Sequence, residues 1–304
     1  MPRARFEQIL RYMHVSDNTL LDPQDKFTKI RPLWDNLNER WMRYSPRYVE
    51  VSIDESMIPY YGHHSTKQHI HGKPIRFGYK VWCMATRLGY LIQAEHYQGA
   101  SAGNTNPDLG VGGSVVTNLV SKLPDGFKVH VYMDNFLTSL RLLTALKQSG
   151  HQGTGTIRAN RVEKAPLESL QSMKSKSRGS YHQITDEKSY ITLIRYNDNN
   201  VVTVASSCEG VAPMGSAQRW SSNQKRKIAI QQPSCIQQYN RYMGGTDRLD
   251  QNVGCYRMVK NPLDYLAFIR VITTTYLGKY SNQRTLGRPL KPTNNGEEFR
   301  MVFV

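Results

Sequence analysis

Apolar residues recur at helical spacing from the start of the chain. Phe6, Ile9, Leu10 and Met13 share a face, and Leu33, Leu37 and Trp41 repeat the pattern behind Pro32, which suits a first helical turn. The period then shifts to two. Tyr48–Asp54 alternates apolar and polar and predicts a strand with Asp54 at its end. Tyr79–Thr86 and Gly89–Tyr97 flank Arg87-Leu88 and predict an antiparallel hairpin. Phe127–Met133 predicts another strand ending at Asp134. Thr138–Gln148 follows as a helix with Leu140, Leu143 and Leu146 near one face and Gly150 as its C-terminal cap. Val115-Val116 and Val201-Val202 are short runs of strand length, far below the ~18 apolar residues of a membrane span.

The second half is more heterogeneous. Arg158–Gly179 is rich in Lys, Arg and Ser, with weak periodicity, and reads as a surface excursion. Tyr190–Tyr196 and Val201–Ser206 bracket the turn-forming Asn197-Asp198-Asn199-Asn200 and predict a hairpin. Pro233-Ser234 opens a helix in which Ile236, Tyr239 and Met243 share a face, stopped by Gly244-Gly245. Asn261-Pro262 begins a last helix reaching Tyr280, and Arg284–Val304 reads as a loose tail. This order predicts an α/β fold: a mixed sheet with flanking helices, interrupted by a β-rich insertion. The expected units are a helical segment 1–47, a core in two parts 48–157 and 233–257, the insertion 158–232, a C-terminal helix 258–283 and the tail 284–304.

Charge changes the picture. The 304 residues carry 40 Lys+Arg against 24 Asp+Glu, a formal net charge of +16. That excess suits neutralisation of a nucleic-acid backbone, and equally a basic protein whose charges are simply solvated. The basic residues gather, with aromatics between them, around Lys67–Lys80, Arg158–Arg178 and Arg219–Lys227. Candidate DNA contacts are Lys73, Arg76, Lys80, Arg158, Arg161, Arg219, Lys225, Arg226 and Lys227, while Trp220 either stacks on an exposed base or packs within the insertion. His63, His64, His69 and His71 crowd together, and a basic DNA-facing loop accounts for them better than a zinc site. Cys83, Cys208, Cys235 and Cys255 are too widely spaced for a disulfide framework or a zinc pattern. The opening Met1-Pro2-Arg3-Ala4-Arg5 is not followed by an apolar leader, so the expectation is a soluble intracellular protein with no membrane partner.

Three acids stand out by context. Asp54 and Asp134 close predicted strands, and Asp247 follows the glycine pair in Gly244-Gly245-Thr246-Asp247-Arg248-Leu249-Asp250-Gln251. On a helix, Asp247 and Asp250 fall at i and i+3 and share a face. Carboxylates brought together from strand ends and a helix suit hard cations such as Mg²⁺, and a pair of such ions about 3.5–4 Å apart can act on phosphodiesters. The bland reading is that each Asp ends a strand or caps a helix, as Asp134 could.

Several blocks then resemble the signatures of the piggyBac transposase family, in that family's order. They are Ser52-Ile53-Asp54-Glu55-Ser56-Met57, Gly72-Lys73-Pro74-Ile75-Arg76-Phe77-Gly78-Tyr79-Lys80, Met133-Asp134-Asn135-Phe136-Leu137-Thr138-Ser139, Gly155-Thr156-Ile157-Arg158 and the Gly244–Gln251 block. The similarity covers residues 1–257 closely and continues more weakly to 289, with the piggyBac transposable element-derived proteins of animal genomes as nearest kin. The resemblance implies an RNase H-like catalytic core interrupted by a β-rich insertion domain. It also implies a DDE/D site in which Asp54, Asp134 and Asp247 are catalytic, with Asp250 as a fourth metal-binding acid. Further implications are two Mg²⁺ or Mn²⁺ ions, no small-molecule cofactor, transposon-end DNA and TTAA targets as partners, a possible homodimer and a nuclear location. The implied chemistry is cut-and-paste transposition: water attacks a phosphodiester at the element end, and the freed 3′-OH attacks the opposite strand and later the target.

The sequence departs from that pattern in three places. The family's N-terminal region precedes the block that starts here at Met1, so residues 1–47 read as a remnant of a dimerisation and DNA-binding domain. After Tyr256-Arg257 the chain passes almost directly to Asn261-Pro262, short of the pattern by roughly 30 residues, about 45 Å if helical. Cys255 is the last Cys, so the Cys-rich zinc module of many members has no counterpart. Two readings stay open: a metal-dependent DNA-cleaving and strand-joining enzyme, or a catalytically inactive DNA-binding relic or domesticated host protein.

Overall fold

The computed structural model describes residues 2–255 apart from 13, 47–49, 61, 101–104, 163 and 223. The expected last helix and tail lie outside the described residues, as do Tyr48 and Val49 of the first expected strand. In chain order the first half comprises α1 (Arg3–Tyr12), α2 (Arg31–Arg43), β1 (Glu50–Pro59), β2 (Gln68–His69), β3 (Phe77–Thr86), β4 (Leu91–His96), α3 (Gly110–Ser121), β5 (His130–Met133), α4 (Leu140–Gln148) and β6 (Gln152–Thr156). The second half comprises α5 (Leu170–Ser175), β7 (Tyr181–Thr185), β8 (Thr192–Asn197), β9 (Val201–Ser206), β10 (Gly215–Ser221), β11 (Arg226–Gln232), α6 (Ser234–Tyr242) and α7 (Gly245–Gly254).

Strand alternation organises these elements. On β1, Val51 and Ile53 enter one apolar cluster while Ile58, of the opposite parity, enters another, so Ser52, Asp54 and Ser56 share the face of Ile58. β1 pairs antiparallel with β3 and parallel with β5, and β5 pairs parallel with β6. The main sheet has nine strands in the order β2-β3-β1-β5-β6-β9-β8-β7, with β4 also on β3, and β10–β11 form a separate two-stranded ribbon. On one face α3 and α4 bury Val115, Val116, Leu119, Leu142, Leu143 and Leu146 against Val51, Ile53, Met84, Val131 and Met133. On the other, α2 and α7 bury Trp34, Leu37, Trp41, Leu249 and Val253 against Ile58, Val81, Cys83 and Leu91. α6 covers β8 and β9 through Cys235 and Ile236. The indole N–H of the buried Trp34 and the amide of Asn38 both donate to the Ala94 carbonyl, at 2.9 and 3.0 Å, locking α2 onto β4.

Within the described residues, the expected hairpins and helices are present with shifted ends. Ser139, accepting from the Leu142 N–H at 3.2 Å, caps α4, and Gly150 (φ +77°) closes its C-terminal turn. Three expectations change. β1 does not end at Asp54 but continues to Pro59, because Glu55–Pro59 keeps pairing with Gly78–Trp82. Val115-Val116 belongs to the helix α3, whose buried stripe outweighs the weak strand preference of valine. The stretch 158–232 prolongs the core sheet through β9, β8 and β7, with Thr154 opposite Ser206; among the described residues only the β10–β11 ribbon stands off from it.

α7 approaches β1 and β3 closely at its first residue. A Cβ on Gly245 would meet the Ser52 hydroxyl and lie 2.6 Å from the Thr86 carbonyl oxygen. Gly245→Ala is expected to lower stability by about 1–3 kcal/mol, read from chemical denaturation, whereas Gly254→Ala, with open space around it, should cost nothing or stabilise.

Candidate active site

The expected acids lie around the centre of the sheet, on β1, just past β5 and on α7. Asp54 projects from the middle of β1 between Ser52 and Ser56, towards α7. Asp134 is the first residue beyond β5, one step past the Ile53–Met133 pair, and so stands beside Asp54. Its Oδ1 accepts the backbone N–H groups of Phe136 (3.0 Å) and Leu137 (3.1 Å), and its carbonyl accepts the Thr138 hydroxyl at 2.6 Å. Gly155 gives this turn room, since a Cβ there would meet the Thr138 hydroxyl and lie 2.7 Å from the Met133 carbonyl oxygen. On α7, Asp247 lies in the first turn and Asp250 one turn on, where its Oδ1 accepts the Ser56 hydroxyl at 2.6 Å.

The electrostatics tie these groups together. Burial, reinforced by Glu55 and Asp134, pushes the Asp54 carboxyl up to about 7 against the pull of the Glu55 N–H and Lys73. Desolvation, with Asp247 and Glu55 nearby, raises Asp250 to about 6, although Ser56 and Lys73 favour its ionised form. Lys73 lies 3.2 Å from Glu55; desolvation opposes its charge, but Glu55, Asp54 and Asp247 together hold its pKa above the ordinary lysine value. Lys80, 3.7 Å from Glu55 and 3.8 Å above the Trp82 ring, is lowered by desolvation, against the pull of Glu55, Asp54 and Asp134. Tyr239 of α6 borders the acids, its hydroxyl pushed up to about 12 by burial with Asp134 and Asp54 contributing. Glu55, Ser56 and Tyr239 were not singled out from the sequence: Glu55 lies within the first block, but Tyr239 reads there only as part of a helix face.

The donor set is oxygen-only, drawn from two strands and a helix, and part of it is costly to ionise without compensation. Such residues fit a hard divalent cation. The four aspartates do not converge tightly: among the described residues the one group of three or more His, Cys, Asp or Glu with donor atoms all within 4.8 Å is His130, Cys208 and Glu209. Like charges in a partly desolvated site repel, which favours carboxylates held apart.

The expected DNA-contacting residues separate into two kinds. Arg76, Lys225, Arg226 and Lys227 are exposed, the last three at the tip of the β10–β11 ribbon beside Trp220, which is 59% exposed and opposite Lys227 in register. Other cations serve the fold. Arg161 donates to the carbonyls of Asn135, Phe136 and Thr138, Arg158 holds the Asn135 side chain at 3.0 Å, and Arg219 pairs with Asp198 at 2.9 Å. Arg161 and Arg158 thus brace the turn that carries Asp134. The four clustered histidines form no ligand group; His64 bonds Thr66 and His69 stacks on Phe77.

Two acids at the centre of a mixed sheet, beneath a helix carrying two more, are the ones that the resemblance to a DDE transposase singles out. The profile of the family described as Transposase IS4 matches residues 1–276. The chain belongs to this IS4-type DDE transposase family, in its piggyBac transposable element-derived branch. Over 328 residues it is 40% identical to human PiggyBac transposable element-derived protein 3, covering 97% of this chain and 54% of that protein. It is 37% identical over 270 residues to human PiggyBac transposable element-derived protein 2, covering 88% of this chain and 46% of the relative. The chain thus spans about half the length of these curated relatives. Its fold matches a piggyBac transposase solved in a synaptic complex with hairpin DNA, with a TM-score of 0.71 and 25% identity over 92% of this chain and 57% of that one.

The raised Asp54 pKa has a definite sign. Against about 3.9 in an unfolded chain, the folded state holds an extra proton between that value and about 7, so stability falls as pH rises through this window. In chelator, melting temperature should drop from pH 4 to 7, and Asp54→Asn should flatten that drop and melt higher than the parent at pH 8. Parallel melting profiles for the two proteins would contradict the assignment.

Proposed function

We propose that this chain is the catalytic portion of a transposon-derived DNA-processing protein. Asp54, Asp134, Asp247 and Asp250 would hold two divalent metal ions, and the basic ribbon and Arg76 would grip the DNA. The observation that carries this reading is the placement of Asp54 beside Asp134 across the parallel β1–β5 pair, with α7 returning to hydrogen-bond Asp250 to Ser56. The strand arrangement supports an RNase H-like core, in which β4-β3-β1 run antiparallel and β1-β5-β6 parallel. Bound Mg²⁺ or Mn²⁺ supplies charge stabilisation for attack on a phosphodiester. The chain's own part is to position: the Phe136 and Leu137 N–H groups aim Asp134, Ser56 aims Asp250, and Lys73 and Lys80 balance the acids' charge. The solved structural relative was captured with hairpin DNA, which supports a DNA strand as the substrate class. A DNA partner supports the nucleus as the site of action.

A second reading, DNA binding without cleavage, is favoured by Lys73, which already compensates Asp54, Asp247 and Glu55. Mn²⁺-dependent cleavage of transposon-end DNA separates the two. Asp134→Asn should lower the cleavage rate by at least about 10²-fold if the acids act on the reacting phosphate, a loss of the size seen when one stabilising group is removed. Complete inactivity of the parent chain, with DNA binding retained, would establish the second reading.

Binding itself is electrostatic on either reading. Replacing Lys225, Arg226 and Lys227 by Ala should reduce the slope of log K against log salt by about 2–3, near 0.9 for each lost phosphate contact. An unchanged slope in a filter-binding or anisotropy titration would remove the ribbon from the interface.

A further inference from the structure

Away from the acidic centre, at the start of β5, three donor types meet. His130 Nδ1 lies 3.7 Å from Cys208 Sγ and 3.8 Å from Glu209 Oε1, and the donors of all three residues fall within 4.8 Å of one another. We propose that His130, Cys208 and Glu209 form a binding site for one zinc-class divalent cation, separate from the acids proposed for catalysis. The spacing suits such an ion. Zinc bonds of about 2.0–2.3 Å to nitrogen, oxygen and sulfur in tetrahedral array set neighbouring donors about 3.3–3.8 Å apart. The first two separations are already of that length.

The surroundings are those of a supported ligand set. Thr154 Oγ1, 2.8 Å from His130 Nε2, is placed to take the Nε2 proton and leave the Nδ1 lone pair free, the outer-sphere partner that a metal-binding imidazole requires. Thr154 is bonded in turn to Ser206 at 2.7 Å. Ser206 Oγ accepts the N–H groups of Cys208 (3.3 Å) and Glu209 (3.0 Å), fixing the turn after β9 that points both side chains at His130. Tyr132, whose hydroxyl lies 3.2 Å from both His130 Nδ1 and Glu209 Oε1, completes the wall. Glu209 Oε2 is buried and makes no hydrogen bond, so the cluster contains an acceptor without a donor. A cation resolves that deficit, and one thiolate with one carboxylate match its two charges. The exposed Cys208 gives a route of entry and leaves the fourth corner to water.

The donor chemistry separates this site from the acidic one. Mixed N, S and O ligands favour borderline ions such as Zn²⁺ and Co²⁺, whereas the all-carboxylate cluster favours Mg²⁺ and Mn²⁺. His130 and Asp134 are four residues apart on β5 and its extension, roughly 13 Å at about 3.3 Å per residue, too far for a shared ion. An ion here would tie the turn after β9, which leads to the basic ribbon, to the strand that ends at Asp134.

The test is titration of the metal-free full chain with Co²⁺, followed by absorbance. The expected result is a thiolate-to-cobalt charge-transfer band that saturates at one equivalent and is erased by Zn²⁺. The band should be absent in Cys208→Ser and shifted to at least about tenfold higher Co²⁺ in Glu209→Gln. It should persist in Cys255→Ser and Asp134→Asn, with folding of every variant checked by its metal-free melt. No band in the parent chain, a band that survives Cys208→Ser, or one lost in Cys255→Ser would overturn the proposal.

Discussion

The double pairing of β1 is the constraint on which the rest depends. This strand is buried between β3 and β5, one neighbour antiparallel and the other parallel, so its register is set from both sides. A slip of one residue would exchange Val51 and Ile53 for Ser52 and Asp54 in the apolar layer under α3 and α4. The cost of that exchange holds Asp54 on the opposite face, beside Asp134 and beneath α7. Packing on one side of the sheet thereby fixes the placement of charge on the other.

The close approaches around this strand serve the same end. Gly245 lets α7 settle against the Ser52 side chain and the Thr86 carbonyl, and Gly155 lets the Asp134 turn fold over β6. Arg158 and Arg161 then hold that turn from outside through Asn135, Phe136 and Thr138. Two arginines that look like phosphate contacts are therefore occupied in bracing the acid's loop, and the cations free for DNA lie elsewhere. Glu55 completes the arrangement by drawing Lys73 and Lys80 towards the acids.

The ribbon β10–β11 has a different physical character from the sheet. It pairs with no other strand among the described residues, exposes Trp220, and carries basic side chains at its tip. A two-stranded ribbon of this kind is narrow enough to enter a DNA major groove, and an exposed indole is a surface for a base. The turn leaving β9 links it back to the core at Cys208 and Glu209, beside β5.

Much of this was legible in the chain itself. Period-two alternation marked β1, the turns at Arg87-Leu88 and Asn197-Asp198-Asn199-Asn200 marked the β3–β4 and β8–β9 hairpins, and the run ending at Asp134 marked β5. Helical spacing with Pro32, Gly150 and the Gly244-Gly245 pair marked α2, α4 and α6. Asp54, Asp134, Asp247 and Asp250 stood out by their blocks, and the charge of +16 pointed to a polyanion. Local pattern could not say that β1 continues past Asp54, that Val115-Val116 is helical, or that the 158–232 strands extend the core sheet, since pairing and burial partners decide each of these. Nor could it separate Arg161 from Lys227, whose difference lies in which carbonyls are near. His130 and Cys208 are 78 positions apart and match no ligand spacing, yet the β6–β9 pairing sets them 3.7 Å apart. Pattern along the chain marked many of the core elements, singled out the candidate acids and gave the sign of the charge; which donors meet followed from tertiary structure alone, because distance in space is set by strand order and register.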